Sequence, residues 1–178
     1  NRMNDGKPQV APAVFGGTHS VVGGEGLRQR AQDQPDLERW MRQCIGLARV
    51  AKERGDAPVG CVIVRDGAVV AEGIEAGRTK GDVTCHAEVE AIRAARRLLG
   101  RADLSDCTLV TTHEPCILCS YVIRHHRIAR VVLGLETGEI GGYSSALPVL
   151  TDTTIKRWAA PPVVVAGVLR EACAALMQ

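Results

Sequence analysis

The chain has 178 residues, enough for one compact domain of ordinary size and too few to predict two. Its composition, 46% hydrophobic and 24% charged, is that of a globular protein, and no apolar run approaches the ~20 residues of a membrane-spanning helix. A net charge of +2 and few aromatic residues argue against a broad nucleic-acid-binding surface. The odd number of cysteines argues against a disulfide framework, and the N-terminus lacks a secretory signal, so we expect a cytoplasmic protein.

The N-terminal part of the sequence differs in character from the rest. Residues 1–35 are rich in glycine, proline and small residues and show no sustained period, so we predict an extended arm there. The folded domain is then expected over residues 36–178. Asp36 is the predicted N-cap of a first amphipathic helix, which Gly55 ends.

Helical and strand patterns alternate along the remaining chain. Two β-branched runs flank an Asp-Gly dipeptide, a strong tight-turn signal, and predict a hairpin over 59–74. The later patterns predict, in chain order, a helix over 86–99, a strand over 108–112, a helix from Pro115, strands over 130–135 and 162–168, and a closing helix to Met177. This alternation predicts a three-layer α/β/α fold whose five-stranded mixed sheet is largely parallel after the hairpin.

Two short segments carry the residue types that chemistry needs, and each opens a predicted helix. They are Cys85-His86-Ala87-Glu88 and Glu114-Pro115-Cys116-Ile117-Leu118-Cys119. A Cys-x-x-Cys pair alone is also typical of a redox pair or of half a zinc knuckle. With His86 added, Cys116 and Cys119 complete a three-ligand set that leaves one tetrahedral position of Zn²⁺ for water, as catalytic sites do.

Glu88 follows His86 by two residues and can face a metal-bound water without binding the metal itself. A carboxylate in that place suits general acid and base catalysis. The start of a helix also favours the thiolate form of Cys116, because unpaired backbone N–H groups and the helix dipole stabilise negative charge there.

These two segments resemble the His-x-Glu and Pro-Cys-x-x-Cys signature documented for zinc deaminases of the cytidine deaminase-like superfamily. Within it, residues 37–135 are similar to the branch that holds bacterial tRNA adenosine deaminases, guanine deaminases and fungal cytosine deaminase. The stretches 56–60, Asp-Ala-Pro-Val-Gly, and 111–115, Thr-Thr-His-Glu-Pro, carry that likeness. The resemblance implies the cytidine deaminase-like fold and a homodimer.

The resemblance also implies the chemistry. Glu88 takes a proton from a water whose pKa the zinc ion lowers toward ~7, and hydroxide attacks the amino-bearing ring carbon. One Zn²⁺ is expected per subunit, with His86, Cys116 and Cys119 as ligands and water or hydroxide as the fourth. The expected substrate contacts are Pro58, Val59, Glu75, Ala87, Glu114 and Pro115.

The chain departs from these relatives at Glu75, which occupies the place of an asparagine that hydrogen-bonds their substrates. Asparagine offers a donor and an acceptor, whereas an ionised glutamate only accepts, so Glu75 predicts a substrate that presents a donor. The alternative is a solvated loop carboxylate in a loop of different length. The tail after Leu135 also lacks the basic, aromatic C-terminal helix expected of the tRNA enzymes.

We therefore expect zinc-dependent hydrolytic deamination of an amino-substituted nucleobase, nucleoside or related small heterocycle, which cleaves the C–N bond of a cyclic amidine. The alternative is a tRNA wobble-adenosine deaminase, favoured by general similarity and by the arginines of 93–101 and 124–127. Charges at helical spacing are, however, more typical of a solvated face. An inactive zinc-binding scaffold subunit is a third alternative, and Glu88 argues against it because a structural site has no use for that carboxylate.

Overall fold

A five-stranded sheet is the centre of the structure, a computed structural model that describes residues 24–178, with side chains from Asp33 onward. The strands are β1 (Gly60–Arg65), β2 (Ala68–Ile74), β3 (Cys107–His113), β4 (Arg130–Leu135) and β5 (Val163–Val165). Their spatial order is β2-β1-β3-β4-β5. The β1 strand is antiparallel to β2 and β3, and the other neighbours are parallel. The predicted mixed sheet is confirmed, although β5 is shorter than the predicted run 162–168.

Five helices accompany the sheet in the described part of the chain. They are α1 (Gly24–Glu53), α2 (Gly77–Lys80), α3 (Ala87–Leu99), α4 (Ile117–His125) and α5 (Arg170–Ala175), with a 3-10 turn at Gly138–Ile140. The helices predicted after the hairpin are confirmed, whereas α2 carries no periodic pattern and was not predicted. Across residues 24–178, no helix combines the length and the apolar character that crossing a bilayer requires.

The start of α1 corrects the sequence prediction. The helix begins at Gly24, so residues 24–35 are helical and Asp36 is not an N-cap. Leucine, alanine, arginine, glutamine and glutamate dominate this stretch and favour helix without an apolar period, and Pro35 is accommodated inside the helix. The rest of the predicted arm, residues 1–23, lies outside the described residues. The compact unit that holds the sheet covers residues 33–178, and the domain boundary at residue 36 stays a prediction.

The two faces of the sheet have separate hydrophobic cores, because side chains alternate between the faces along each strand. On β1, Cys61 and Ile63 belong to the core formed with α3 and α4. Their neighbours Val62 and Val64 belong to the core formed with α1 and α5. The β3 and β4 strands divide their residues in the same way. The result is the expected three-layer arrangement.

Helix α3 lies close to β2 because residue 73 is a glycine. A Cβ atom on Gly73 would lie 2.1 Å from the carbonyl oxygen of Ala87 and 2.4 Å from the backbone nitrogen of Ala91. Both distances are far inside van der Waals contact, so any side chain here would push the helix away. This close approach sets the height of the start of α3 above the sheet.

A buried arginine on α4 forms hydrogen bonds with the C-terminal part of the chain. The Arg124 side chain is 5% exposed, and its guanidinium lies over the ring of Trp158. It donates hydrogen bonds to the carbonyl oxygens of Val149 (3.1 Å), Leu150 (3.2 Å), Asp152 (2.8 Å) and Ala159 (3.0 Å). The carbonyl group of Leu150 is buried and needs such a donor. Both interpretations drawn from the sequence, a phosphate contact and a solvated face, are therefore wrong for Arg124.

We expect Gly73→Ala to lower the free energy of unfolding by about 1–3 kcal/mol, because the new methyl group overpacks the contact between β2 and α3. Urea denaturation followed by circular dichroism measures the change. Gly46→Ala is the matched control: it lies inside α1, and a Cβ there meets nothing within 4 Å. Equal midpoints for Gly73→Ala and the unmodified chain would contradict the proposed packing constraint.

Candidate metal centre and active site

The three predicted ligands meet where α3 and α4 begin. His86 is the N-cap residue of α3, Cys116 is that of α4, and Cys119 lies in the first turn of α4. The Sγ atoms of both cysteines lie 3.4 Å from Nδ1 of His86. All three ligand atoms lie within 4.8 Å of one another, and no fourth His, Cys, Asp or Glu of the described residues joins them.

This arrangement fits a zinc ion. Zn²⁺ is bound by imidazole nitrogen at ~2.0–2.1 Å and by thiolate sulfur at ~2.3 Å, so tetrahedral ligands of these types lie ~3.5 Å apart. The 3.4 Å between Nδ1 of His86 and each sulfur agrees with that spacing. Three protein ligands leave one position of the tetrahedron for water or substrate, which is the composition of a catalytic zinc site.

The electrostatics of the ligands favour a cation. A hydrogen bond from Cys119, together with His86, lowers the pKa of Cys116 to about 5, so this cysteine is a thiolate at neutral pH. The same hydrogen bond and burial raise the pKa of Cys119, which keeps the shared proton. Burial opposes the charged form of His86, but Cys116, Glu75 and Glu88 together outweigh burial and raise the pKa of the imidazole. A negative charge is therefore already present among the ligands.

Glu88 lies beside the ligands without belonging to them. Its side chain is buried; Oε1 accepts a hydrogen bond from the hydroxyl of Thr111 at 3.0 Å, and Cys119 contacts Oε2 at 3.4 Å. Burial raises the pKa of the Glu88 carboxyl, which brings its protonated form closer to neutral pH. Sequence reasoning missed Thr111, although a threonine two residues after Leu109 on a buried strand face is a detectable signal.

Glu75 lies beside the metal centre, and its role in substrate binding stays a prediction. It follows β2 and lines a cavity of about 540 Å³, together with Gly77, Arg78, Gly81, Val83 and the ligand His86. The Oε1 atom of Glu75 accepts the N–H of Gly77 at 3.3 Å. Burial raises the pKa of Glu75, and the neighbouring His86 opposes that shift. The position is half-buried, which argues against the alternative of a solvated loop carboxylate.

Three other predicted substrate contacts surround Glu75 without lining this cavity. The carbonyl oxygen of Val59 accepts the N–H of Glu75 at 3.1 Å, so Pro58 and Val59 lie at the same end of the hairpin. Ala87 is fully buried at the first position of α3. The role of these three residues in substrate binding stays a prediction.

Glu114 and Pro115 hold a later segment against the start of α4. The Glu114 carboxylate accepts hydrogen bonds from the N–H groups of Thr137 (2.9 Å), Tyr143 (2.7 Å) and Ser144 (2.6 Å) and from the Ser144 hydroxyl (2.6 Å). The Pro115 carbonyl oxygen accepts the N–H of Gly142 at 2.8 Å. These contacts give residues 137–144 a structural role that the sequence did not reveal. Substrate contact by Glu114 or Pro115 stays a prediction.

Comparison with known proteins adds a family assignment. Residues 34–135 match the family model described as the cytidine and deoxycytidylate deaminase zinc-binding region. The match covers more than half of the chain and includes the three ligands and Glu88. The cluster of one histidine and two cysteines is therefore found inside a region defined by zinc binding.

Individual relatives agree with this result. The chain is 38% identical over 139 residues to tRNA(Ile)-lysidine synthase of Deinococcus radiodurans, which covers 78% of this chain and 23% of that protein. The chain therefore spans about a quarter of the length of that relative. One similar solved structure comes from a study of A-to-I editing by tRNA:A34 deaminases at the wobble position of transfer RNA. It superposes on this chain with a TM-score of 0.73 at 33% identity, and the match covers 78% of this chain and 98% of that one. Guanine deaminase of Bacillus subtilis gives a TM-score of 0.54 at 41% identity over 56% of this chain and 64% of that one.

We expect His86→Ala and Cys116→Ser each to abolish stoichiometric zinc binding, because two remaining protein ligands cannot hold the ion against competing chelators. Metal content after dialysis, measured by mass spectrometry, tests this. Cys85→Ala is the control, since this buried cysteine precedes the histidine ligand but is absent from the cluster. Retention of one zinc ion per chain by either ligand variant would show that the ion binds elsewhere.

Proposed function

Because the chain belongs to the cytidine and deoxycytidylate deaminase zinc-binding family, we propose that it is a hydrolytic deaminase, which replaces an amino group on a nitrogen heterocycle with oxygen and releases ammonia. The observation that carries this proposal is the buried Glu88 carboxyl next to a three-ligand site for zinc. A purely structural zinc site has four protein ligands and needs no such acid. The inactive scaffold is therefore the weaker alternative.

The residues around the site divide the work of the reaction. When bound, Zn²⁺ supplies a water acidic enough to act as a nucleophile near neutral pH. Glu88 moves the protons: it accepts one from the attacking water and delivers it to the ring nitrogen, and it then accepts a second from the new hydroxyl group and delivers it to the amino group, which leaves as ammonia. Thr111 holds one carboxylate oxygen of Glu88 through its hydroxyl at 3.0 Å. This contact orients the second oxygen toward the Cys119 side of the site.

The proposed substrate is an amino-substituted nucleobase, nucleoside or related small heterocycle. The cavity of about 540 Å³ beside His86 is wide open to solvent and has room for a small heterocycle. Glu75 on its wall accepts hydrogen bonds and so selects a ring that presents an N–H or an exocyclic amine. The position of Glu75 on this wall is the observation that supports a small heterocycle as the substrate.

A tRNA wobble-adenosine deaminase is the second candidate, supported by the similarity to a solved tRNA:A34 deaminase. Against it, two of the arginines that an RNA backbone would need already have carboxylate partners. Arg93 pairs with Glu90 at 2.7 Å and Arg101 with Asp106 at 2.6 Å. Exposed pairs of this kind can exchange partners, so the choice between the two substrates requires an assay.

The deciding assay is ammonia release by the zinc-loaded protein. The panel contains cytosine, adenine, guanine, their nucleosides, aminotriazines and a tRNA anticodon stem-loop, with Glu88→Gln as the blank. Release from a small heterocycle supports the first candidate. Activity on the stem-loop alone, with binding that falls steeply as salt rises, supports the second.

We expect Glu88→Gln to keep its zinc and to lose turnover by about 10²–10⁴-fold, because an amide cannot carry the proton between water and ring. Ammonia release and zinc content are measured on the same preparation. Thr111→Val is the comparison variant: it removes the hydroxyl contact while leaving the carboxylate, so its loss should be smaller. Substantial activity in Glu88→Gln would refute the assignment of Glu88 as the proton carrier.

We expect Glu75→Asn to change the order of preferred substrates, because the amide adds a donor where the carboxylate only accepts. The readout is the ratio of kcat/KM values across the substrate panel, with a shift of about 10-fold or more. Glu72→Asn, an exposed position on β2 outside the cavity, is the control. An unchanged ranking of substrates in Glu75→Asn would mean that residue 75 does not contact the heterocycle.

A further inference from the structure

The cavity next to the metal centre has a second charged residue on its wall, Arg78. No motif singled it out, because α2, on which it lies, has no periodic pattern. Its guanidinium makes one hydrogen bond, from Nη1 to the carbonyl oxygen of Gly55 at 3.2 Å. Among the residues that the structure describes, no carboxylate lies within the 4.0 Å that defines an ion pair with Arg78. Most of its donors are therefore available to a ligand.

The backbone of Arg78 is held firmly, although its side chain is exposed. The buried carboxylate of Asp56 accepts the N–H of Arg78 at 2.9 Å and the N–H of Thr79 at 3.0 Å, and it also binds the Thr79 hydroxyl. These contacts lower the pKa of Asp56, so the anchor is ionised at neutral pH. Asp56 thereby fixes α2 at the edge of the cavity.

Arg78 and Glu75 line the same cavity without pairing to each other. A guanidinium only donates hydrogen bonds and an ionised carboxylate only accepts them. Two such groups on one wall, separated by more than an ion-pair distance, match a ligand edge that carries an acceptor next to a donor. With the carboxylates of Glu75 and Asp56 close by, this wall suits a neutral carbonyl better than a phosphate.

We propose that Arg78 is a specificity-determining residue that donates to the carbonyl oxygen of a lactam, while Glu75 accepts the adjacent lactam N–H. This inference rests on the proposed deaminase function and narrows its substrate to amino-oxo heterocycles. Guanine has such an edge at N1–H and C6=O, and the free base cytosine has one at N1–H and C2=O. Adenine and adenosine have none. The two side chains together thus supply the acceptor and donor that a single asparagine would combine.

The experiment compares matched ligands that carry the same amine on the same ring with and without the lactam. The pairs are guanine with 2-aminopurine and cytosine with 4-aminopyrimidine. Equilibrium binding is measured by calorimetry to the zinc-loaded Glu88→Gln protein, which needs no turnover, with and without Arg78→Met. Arg97→Met, an exposed arginine on α3 outside the cavity lining, is the control. Ammonia release is measured in parallel with active protein.

We expect Arg78→Met to weaken binding of at least one lactam by about 10-fold or more and to leave its lactam-free partner within about 2-fold. Glu75→Met, which removes the acceptor, should show the same selectivity, and Arg97→Met should change neither member. Equal losses for both members of a pair would assign Arg78 a structural role. No loss, or binding of neither lactam by the parent protein, would also overturn the inference.

Two further results separate this inference from the function on which it rests. Binding that depends on Arg78 together with no ammonia release from any substrate would refute deamination while keeping the lactam contact. Turnover confined to the adenosine stem-loop would overturn the lactam contact while keeping deamination. If Arg78→Met weakened the binding of nucleoside monophosphates only, Arg78 would contact a phosphate and not a carbonyl oxygen. That result would contradict the proposal.

Discussion

The rest of this structure depends on one constraint: the first turns of α3 and α4 must lie next to each other. Three ligand atoms from α3 and α4 must lie within 4.8 Å of one another, although the two helices are separated by a whole strand. Such a spacing cannot be set by the ligands alone, because His86 lies at the start of α3, whereas Cys116 and Cys119 lie at the start of α4. The sheet provides the common base: β2 fixes the height of α3 through Gly73, and β3 leads directly into the Cys116 turn.

The supporting contacts come from parts of the chain that carry no catalytic motif. Glu114 accepts hydrogen bonds from the backbone of residues 137–144 next to the start of α4. Arg124 donates hydrogen bonds to carbonyl groups of residues 149–159 at the end of α4. Both use one charged side chain to pair with several backbone groups of a distant segment, and hydrogen bonds to a charged group are stronger than neutral ones. The helix that presents Cys116 and Cys119 is therefore held at both ends.

The chemistry of the site follows from this geometry and from burial. A thiolate, a second cysteine and an imidazole form a ligand set for zinc, and the buried Glu88 keeps its proton more readily than an exposed glutamate. The metal ligands lie inside the region that matches the zinc-binding family. Glu75 and Arg78 make the wall of the cavity charged with opposite signs, and substrate choice is proposed to depend on it.

The ligand set and Glu88 were predicted from the residue types at two helix starts together with the resemblance to a known zinc-deaminase signature. Local patterns alone were sufficient to predict the hairpin and the five strands, because strand alternation and turn residues are short-range signals. They failed at residues 24–35, where helix propensity acts without an apolar period. They also failed at Arg124, whose partners lie 25–35 residues further along the chain. The roles of Thr111, Arg78 and residues 137–144 depend on contacts between distant segments, which no local pattern encodes. The sequence by itself thus determined which residues are the candidate ligands, whereas the surroundings of those residues were decided only by the packing of the sheet and its helices.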